Sequence, residues 1–186
     1  MTRIVAGTLG GRRITAPPGG GTRPTSDRVR EALFSAVEAD IDIDGARFAD
    51  LYAGSGAVGL EALSRGAAHA LLVESDPRAA RVIRENLAVL RVGTSARLVA
   101  GKVATVLAAG AGEPYDVVFA DPPYAMSNDS LHAMLAALVD GGWLAPEALV
   151  VVERSSRGGP VEWVQGITGQ RSRRYGESTL WYGRRS

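Results

Sequence analysis

From residue 47 onward, short apolar runs alternate with segments of helical periodicity, and this alternation constrains the fold more than any other feature. The predicted strands are 48–52, 70–74, 97–100, 116–120 and 148–153. The predicted helices lie between them at 57–65, 77–90, 103–109 and 131–139. Because repeated β-α units return the chain across the faces of a sheet, the sequence predicts an α/β domain with a doubly wound, mostly parallel sheet.

The two ends of the chain depart from this alternation. Residues 4–15 contain two short apolar stretches around Gly10 and Gly11, which predicts a β-hairpin, followed by a glycine loop at 19–21 and a helix beginning near Asp27. We therefore expect an N-terminal hairpin and helix extension over 1–45 and the main domain over 46–186. Beyond the main alternation, 161–164 and 171–183 are predicted strands, the latter closing an antiparallel hairpin.

The predicted strand 116–120 ends abruptly in Asp121-Pro122-Pro123-Tyr124. Two successive prolines cannot donate to a sheet, and they fix an extended exit from the strand. An acidic group and an aromatic ring are thus held on stiff backbone at the carboxyl end of a buried strand. Open α/β sheets bind their ligands at that edge, so these four residues are the candidate catalytic loop.

The turn after the first main strand contains Gly54, Gly56 and Gly59 in the spacing G-x-G-x-x-G. Glu74 ends the next strand, where its carboxylate can accept both ribose hydroxyls of an adenosine. This pattern fits NAD and S-adenosylmethionine equally well. Asp50 favours S-adenosylmethionine, because an acid there can reach an ammonium group but would repel the pyrophosphate of NAD. The candidate cofactor-binding residues are Asp50, Ala53, Gly54, Ser55, Gly56, Glu74, Ser75 and Val103.

Composition excludes several classes of function. The chain has no cysteine and only two isolated histidines, His69 and His132, so we expect no metal centre. No apolar run approaches the roughly 20 residues of a membrane span, and no signal-like block follows Met1. With 46% hydrophobic and 22% charged residues, the sequence predicts a soluble, cytoplasmic protein that does not bind membranes.

Positive charge is concentrated at both ends of the chain. Residues 1–30 carry six arginines against Asp27 alone, and residues 154–186 carry seven against two glutamates. Since the net charge of the whole chain is +1, the middle is acidic. Such ends indicate a polyanionic partner, although a merely solvated surface has the same composition. The candidate residues for contacting such a polyanion are Arg12, Arg13, Arg23, Thr25, Arg28 and Arg30.

Four blocks of sequence carry a resemblance to a known family. D-P-P-Y at 121–124 resembles the motif of methyltransferases that act on exocyclic amines of bases, whereas glutamine methyltransferases carry N-P-P-Y. Together with the glycine turn, R-P-T-S-D-R-V-R-E-A-L-F at 23–34 and R-Y-G-E-S at 174–178, it makes nearly the whole chain resemble the RsmD family. Members of that family are bacterial methyltransferases of one guanine amine in small-subunit ribosomal RNA.

The resemblance implies a Rossmann-like class I methyltransferase fold with a seven-stranded sheet and S-adenosylmethionine as cofactor. It also implies that the polyanion is 16S ribosomal RNA in the assembled small subunit, which the candidate arginines and Thr25 would contact. We expect the enzyme to be a monomer. Asp121 and the Pro122 carbonyl would accept the amine hydrogens, and Tyr124 would stack on the base, for which the ring suffices and the hydroxyl is not needed. Lys102 is a departure, because such enzymes usually carry an acid there for the adenine amine, and lysine has only donors. Val103 can still pack on the adenine.

Four alternatives remain at this point. An adenine-N6 methyltransferase of DNA or RNA uses the same four-residue motif, but DNA enzymes usually carry a separate recognition region for which this chain has little length. A glutamine methyltransferase would prefer asparagine at Asp121. A catalytically inactive RNA-binding module and a nicotinamide oxidoreductase are the other two, and intact Asp50, Glu74 and Asp121 argue against the first of these.

Overall fold

A computed structural model describes residues 2–17 and 26–186. At the start of the chain, β1 (Thr2–Arg3) and β2 (Arg13–Ile14) form a two-stranded antiparallel sheet, as the sequence predicts. Helix α1 (Ser26–Asp40) follows and carries Val29, Leu33 and Val37 on its buried face. The predicted glycine loop at 19–21 lies outside the described residues.

The main sheet has seven strands in the order β5-β4-β3-β6-β7-β9-β8. They are β3 (Arg47–Leu51), β4 (His69–Glu74), β5 (Ala96–Ala100), β6 (Tyr115–Ala120), β7 (Leu144–Ser155), β8 (Ile167–Tyr175) and β9 (Ser178–Arg185). The first five strands pair in parallel, and β9 pairs antiparallel with both β7 and β8. Strand order reverses beside β3, so the carboxyl ends of β3 and β6 border the crevice where such sheets bind ligands.

Four further helices connect the parallel strands: α2 (Ala57–Ser64), α3 (Pro77–Leu90), α4 (Val103–Ala108) and α5 (Asn128–Asp140). Local chemistry sets where two of them begin. Asp76 caps α3 by accepting from the Arg78 amide at 2.9 Å, and Pro77 occupies the first turn, where its missing N–H costs nothing. Ser127 caps α5 in the same way, from the Ser130 amide at 3.1 Å.

The core lies on both faces of the sheet, as the alternation along β6 illustrates. Val118 and Ala120 pack on the side that α5 covers, whereas Val117 and Phe119 pack on the side that α1 covers. All four are buried, which explains why the strand reads as a continuous apolar run rather than an alternating one.

The structure confirms the predicted doubly wound sheet with a C-terminal antiparallel hairpin, which is the Rossmann-like class I methyltransferase architecture. The predicted strand at 161–164 is wrong: that segment forms no ladder. Val161 and Val164 are buried against the sheet side that α5 covers, so packing buries their apolar side chains without strand pairing. In addition, Pro160 has no N–H to contribute to a ladder. The strand beside β9 is instead β8, which begins at Ile167.

A buried carboxylate attaches the N-terminal segment to the main domain. Glu61 of α2 is fully buried and accepts from the amides of Val5 and Ala6 at 2.8 and 3.0 Å. It also pairs with Arg30 of α1 at 3.2 Å and with Arg65 at 2.9 Å. These contacts hold the hairpin and α1 against α2. The division into an N-terminal extension and a main domain between residues 45 and 46 remains a prediction. Over the described residues, no helix is both long and apolar enough to cross a membrane.

Candidate active site

A cavity of about 580 Å³ opens at the carboxyl ends of β3, β4 and β6. Its wall consists of Tyr52, Val73, Glu74, Ser75, Lys102, Val103, Ala104, Asp121, Pro122, Pro123, Tyr124 and Met126. The wall thus joins the candidate catalytic loop to the acid of β4, two features that are nearly fifty residues apart in sequence. Parallel pairing of β4, β3 and β6 brings them to one edge.

The glycine turn lies beside this cavity, and its three glycines have different structural roles. Gly54 has a left-handed φ of 62° and open space where a Cβ would project, so its backbone is accessible to a ligand. A Cβ on Gly56 or Gly59 would instead come within 3.0 Å of the Leu72 side chain. These two glycines therefore allow α2 to pack closely on β4, as the third glycine of the fingerprint does.

Glu74 connects the glycine turn to the cavity wall. Its carboxylate accepts from the Gly54 amide at 2.7 Å and from the Asp76 amide at 2.9 Å. Each carboxylate oxygen has a second lone pair, so the group can hold the turn and accept a ligand hydroxyl at the same time. This geometry is what the predicted ribose contact requires.

Asp50 does not reach the cavity wall. It is 1% exposed, and its Oδ2 accepts from the Gly59 amide at 2.9 Å. Burial, followed by the like charges of Asp121 and Glu74, raises the pKa of this carboxyl well above its usual value, while the Gly59 bond lowers it. Asp50 therefore lies behind the cavity, in a position where a cation on the near side would stabilise its ionised form.

The other predicted cofactor residues divide between the wall and the turn. Ser75 and Val103 line the cavity, and Lys102 occupies the N-cap position of α4 with its side chain exposed. Ala53 and Ser55 belong to the turn: the Ala53 amide donates to the Val73 carbonyl at 2.9 Å, and Ser55 Oγ accepts from the Ala57 amide at 3.3 Å.

The candidate catalytic loop lies between β6 and α5. Pro122 is buried, Asp121 is partly buried, and Tyr124 is 45% exposed. The Pro123 carbonyl accepts from the Met126 amide at 2.9 Å, closing a turn that directs Asp121 and Tyr124 to the same cavity. An acid, a backbone carbonyl and an accessible ring together can bind a flat group that carries an amine.

Sequence reasoning missed two residues of this site. Tyr52, the last residue of the predicted strand 48–52, instead follows β3 and lines the cavity with a left-handed φ of 61°, an uncommon conformation for a tyrosine. Burial raises the pKa of its phenol, and the positive charge of Arg154 lowers it, so the two side chains are near each other. Arg154 itself donates to the Met126 carbonyl at 2.8 Å. The sequence feature that could have identified Tyr52 as a site residue is its position at the end of the strand that leads into the glycine turn.

The predicted RNA-binding residues are scattered. Arg30 is 4% exposed, and its guanidinium bonds Glu61, Asp27 and the Arg3 carbonyl. Because the guanidinium is buried among these partners, its assignment as an RNA contact is wrong. Arg12 donates to the Val89 carbonyl at the end of α3, which is the end away from the cavity. Arg13 and Arg28 are exposed, and Arg23 and Thr25 lie outside the described residues.

Comparisons with known proteins agree with this geometry. The family described as "Conserved hypothetical protein 95" matches residues 2–184. "Ribosomal RNA small subunit methyltransferase D" of Escherichia coli (strain K12) is 43% identical over 165 residues, covering 87% of this chain and 80% of that protein. The protein of the same name from Haemophilus influenzae is 35% identical over 153 residues, covering 81% of this chain and 77% of its own.

The likeness extends to solved structures. "Putative methyltransferase yhhF" of Escherichia coli superposes with a TM-score of 0.86 and 37% identity, covering 100% of this chain and 98% of its own. The match therefore includes the N-terminal segment, the sheet and the cavity edge in one alignment. The chain belongs to the RsmD family of S-adenosylmethionine-dependent methyltransferases.

Proposed function

We propose that this protein transfers a methyl group from S-adenosylmethionine to the exocyclic N2 amine of one guanine in 16S ribosomal RNA. The observation that carries the proposal is the meeting of Asp121, Tyr124 and Glu74 on one cavity wall. The names of the relatives, which are ribosomal RNA methyltransferases, support the substrate class.

The residues around the cavity fit the cofactor. Glu74 would hold the ribose hydroxyls, Gly54 would let the backbone approach, and Val103 would pack on the adenine. A nearby positive charge would stabilise the ionised form of the buried Asp50 carboxyl, and the ammonium of a methionine moiety would supply that charge. When bound, S-adenosylmethionine supplies an activated methyl group on a positively charged sulfur.

Asp121 and the Pro122 carbonyl would act on the guanine amine. That amine is a weak nucleophile because its lone pair is delocalised into the ring. Two acceptors on its two hydrogens favour tetrahedral nitrogen and stabilise the positive charge that develops during transfer. The protein would hold the nitrogen at roughly 3–3.5 Å from the methyl carbon, which is close enough for direct transfer without a covalent enzyme intermediate. As the N–C bond forms, the S–C bond breaks, the sulfur leaves as a neutral thioether, and the amine loses one proton.

Tyr124 would stack on a base turned out of its helix, since the residue is 45% exposed and lines the cavity beside Asp121. Stacking on an aromatic ring offsets part of the cost of unstacking the base from RNA.

Exposed arginines near the same edge would contact RNA phosphates. The C-terminal end of α1 contacts Arg184 near the amino end of β7, so the opposite end, with Arg28, points toward the cavity edge. Arg157 and Arg174 are exposed at the carboxyl end of β7 and the β8–β9 turn, near Tyr124. Phosphate contacts of this kind position the RNA without reading its sequence.

The assembled small subunit as substrate, a monomeric enzyme and a cytoplasmic location are further parts of the proposal. The experiment uses cells that lack the gene. Their small subunits, naked ribosomal RNA, DNA and protein are each incubated with the purified protein and methyl-labelled S-adenosylmethionine. We expect label in 16S RNA of the subunit, recovered as N2-methylguanosine after digestion. Label in N6-methyladenosine would overturn the base assignment, and no label in any fraction would overturn the activity.

A further inference from the structure

The R-Y-G-E-S block at 174–178 is one of the four blocks that carry the family resemblance, and apart from Arg174 it has no role in the proposed methyl transfer. The structure places this block at the turn between β8 and β9, where Ser178 opens β9. Because β9 runs antiparallel to β7, Ser178 pairs with Ser155 at the carboxyl end of β7. That is the cavity edge, and it puts Ser178 beside the catalytic loop.

Ser178 connects Tyr124 to a buried acid. The Tyr124 hydroxyl lies 3.2 Å from Ser178 Oγ, which in turn donates to Glu153 Oε2 at 3.1 Å. Ser178 and Glu153 are each only 8% exposed. A carboxylate can only accept, and a serine has one hydroxyl hydrogen, so the directions are determined: Tyr124 donates to Ser178, and Ser178 donates to Glu153.

We propose that Ser178, backed by Glu153, is a positioning residue that fixes the Tyr124 ring in the orientation needed to stack on the target base. Tyr124 is 45% exposed, so part of its surface has no protein neighbour, and the bond from its hydroxyl to Ser178 restrains the ring at the end farthest from the backbone. Because the bond orders the ring before the base arrives, the ring loses little conformational entropy when the base binds.

Arg154 fixes the other side of the same loop. Its guanidinium donates to the Pro123 carbonyl at 3.3 Å and to the Met126 carbonyl at 2.8 Å. Tyr124 is thus held at its backbone by Arg154 and at its hydroxyl by Ser178. The second contact changes the expectation from sequence: the hydroxyl is needed, and Tyr124→Phe should impair methyl transfer.

This inference rests on the proposed function, and the test is a double-mutant cycle on single-turnover methyl transfer to small subunits. Ser178→Ala and Tyr124→Phe should each lower the rate roughly tenfold, the scale of one net hydrogen bond at a site that must stay ordered. Because both remove the same contact, the double variant should be no slower than either single variant. Cofactor affinity should not change in any of them.

The matched control is Ser156→Ala. Ser156 follows β7 and bonds across to the β8–β9 turn, through the Gly176 carbonyl and the Thr179 hydroxyl, but its hydroxyl has no bond to Tyr124. It should retain the wild-type rate. A second readout does not depend on activity: with ring-labelled tyrosine, the NMR resonances of Tyr124 should shift in Ser178→Ala and stay in place in Ser156→Ala.

Strictly additive losses in the cycle, a Tyr124→Phe rate equal to wild type, or unshifted Tyr124 resonances in Ser178→Ala would each overturn the proposal. Absence of methyl transfer by the wild-type protein would refute the proposed function instead, and the NMR comparison would still decide whether Ser178 positions the ring.

Discussion

Arg30 is the residue on which charge pattern and structure disagree most sharply, and removing it gives the clearest stability prediction. Its guanidinium bonds Glu61, Asp27 and the Arg3 carbonyl while only 4% exposed. Breaking one partner of a buried ion pair costs about 3–5 kcal/mol. Glu61 would still be paired with Arg65 and bonded to two backbone amides, which reduces the free-energy cost of leaving its carboxylate buried without Arg30. We therefore expect Arg30→Ala to lower the free energy of unfolding by about 3 kcal/mol.

Urea denaturation measures this directly. With a slope of about 2 kcal/mol/M, the midpoint should fall by roughly 1.5 M. Arg28→Ala is the matched control, because it removes the same charge from an exposed position two residues away and should change stability by less than about 0.5 kcal/mol. An Arg30→Ala variant that is as stable as Arg28→Ala and binds RNA more weakly than wild type would refute this prediction, since that is the behaviour of an exposed phosphate contact.

Three further predictions concern the cavity and its rim. Glu74→Ala should weaken S-adenosylmethionine binding by about 2 kcal/mol, the scale of lost charge-assisted hydrogen bonds, and calorimetry showing unchanged affinity in the folded variant would exclude the ribose contact. Burial raises the pKa of Asp50, so the contribution of this group to the stability of the cofactor-free protein should rise as pH falls from neutral through that raised pKa. Asp50→Asn should unfold at higher temperature near pH 7, with the difference vanishing at acid pH, yet bind the cofactor less tightly; a pH-independent difference would contradict the pKa assignment. Replacing Arg28 and Arg174 by alanine should weaken RNA binding and reduce its salt slope by about two, whereas Arg97→Ala, exposed near the amino end of β5, should leave the slope unchanged.

The sheet was predictable because its determinants are local. Strand and helix periodicities, the Asp76-Pro77 start of α3 and the glycine turn all act within a few residues, and the structure has each of them. The segment at 161–164 failed because two apolar residues look the same whether they pair in a ladder or pack on a sheet.

The contents of the site were only partly predictable, because they depend on contacts between distant residues. Sequence spacing placed Asp50 at a strand end, but not behind the cavity on the Gly59 amide. Positive charge suggested RNA for Arg30, since its partner Glu61 lies 31 residues away. The bond between Tyr124 and Ser178 spans 54 residues, and from it we predict, against the expectation from sequence, that loss of the phenolic hydroxyl slows methyl transfer.

The central claim is that the loop from Asp121 to Tyr124 performs methyl transfer to an amine, and single-turnover kinetics of Asp121→Ala test it most directly. The contact of Asp121 strengthens as positive charge grows on the amine nitrogen, so its loss should affect the chemical step rather than binding. We predict a rate at least roughly a hundredfold below wild type, with RNA and cofactor affinities little changed and with Asp121→Asn falling in between. Methyl transfer at the wild-type rate by Asp121→Ala would contradict the account.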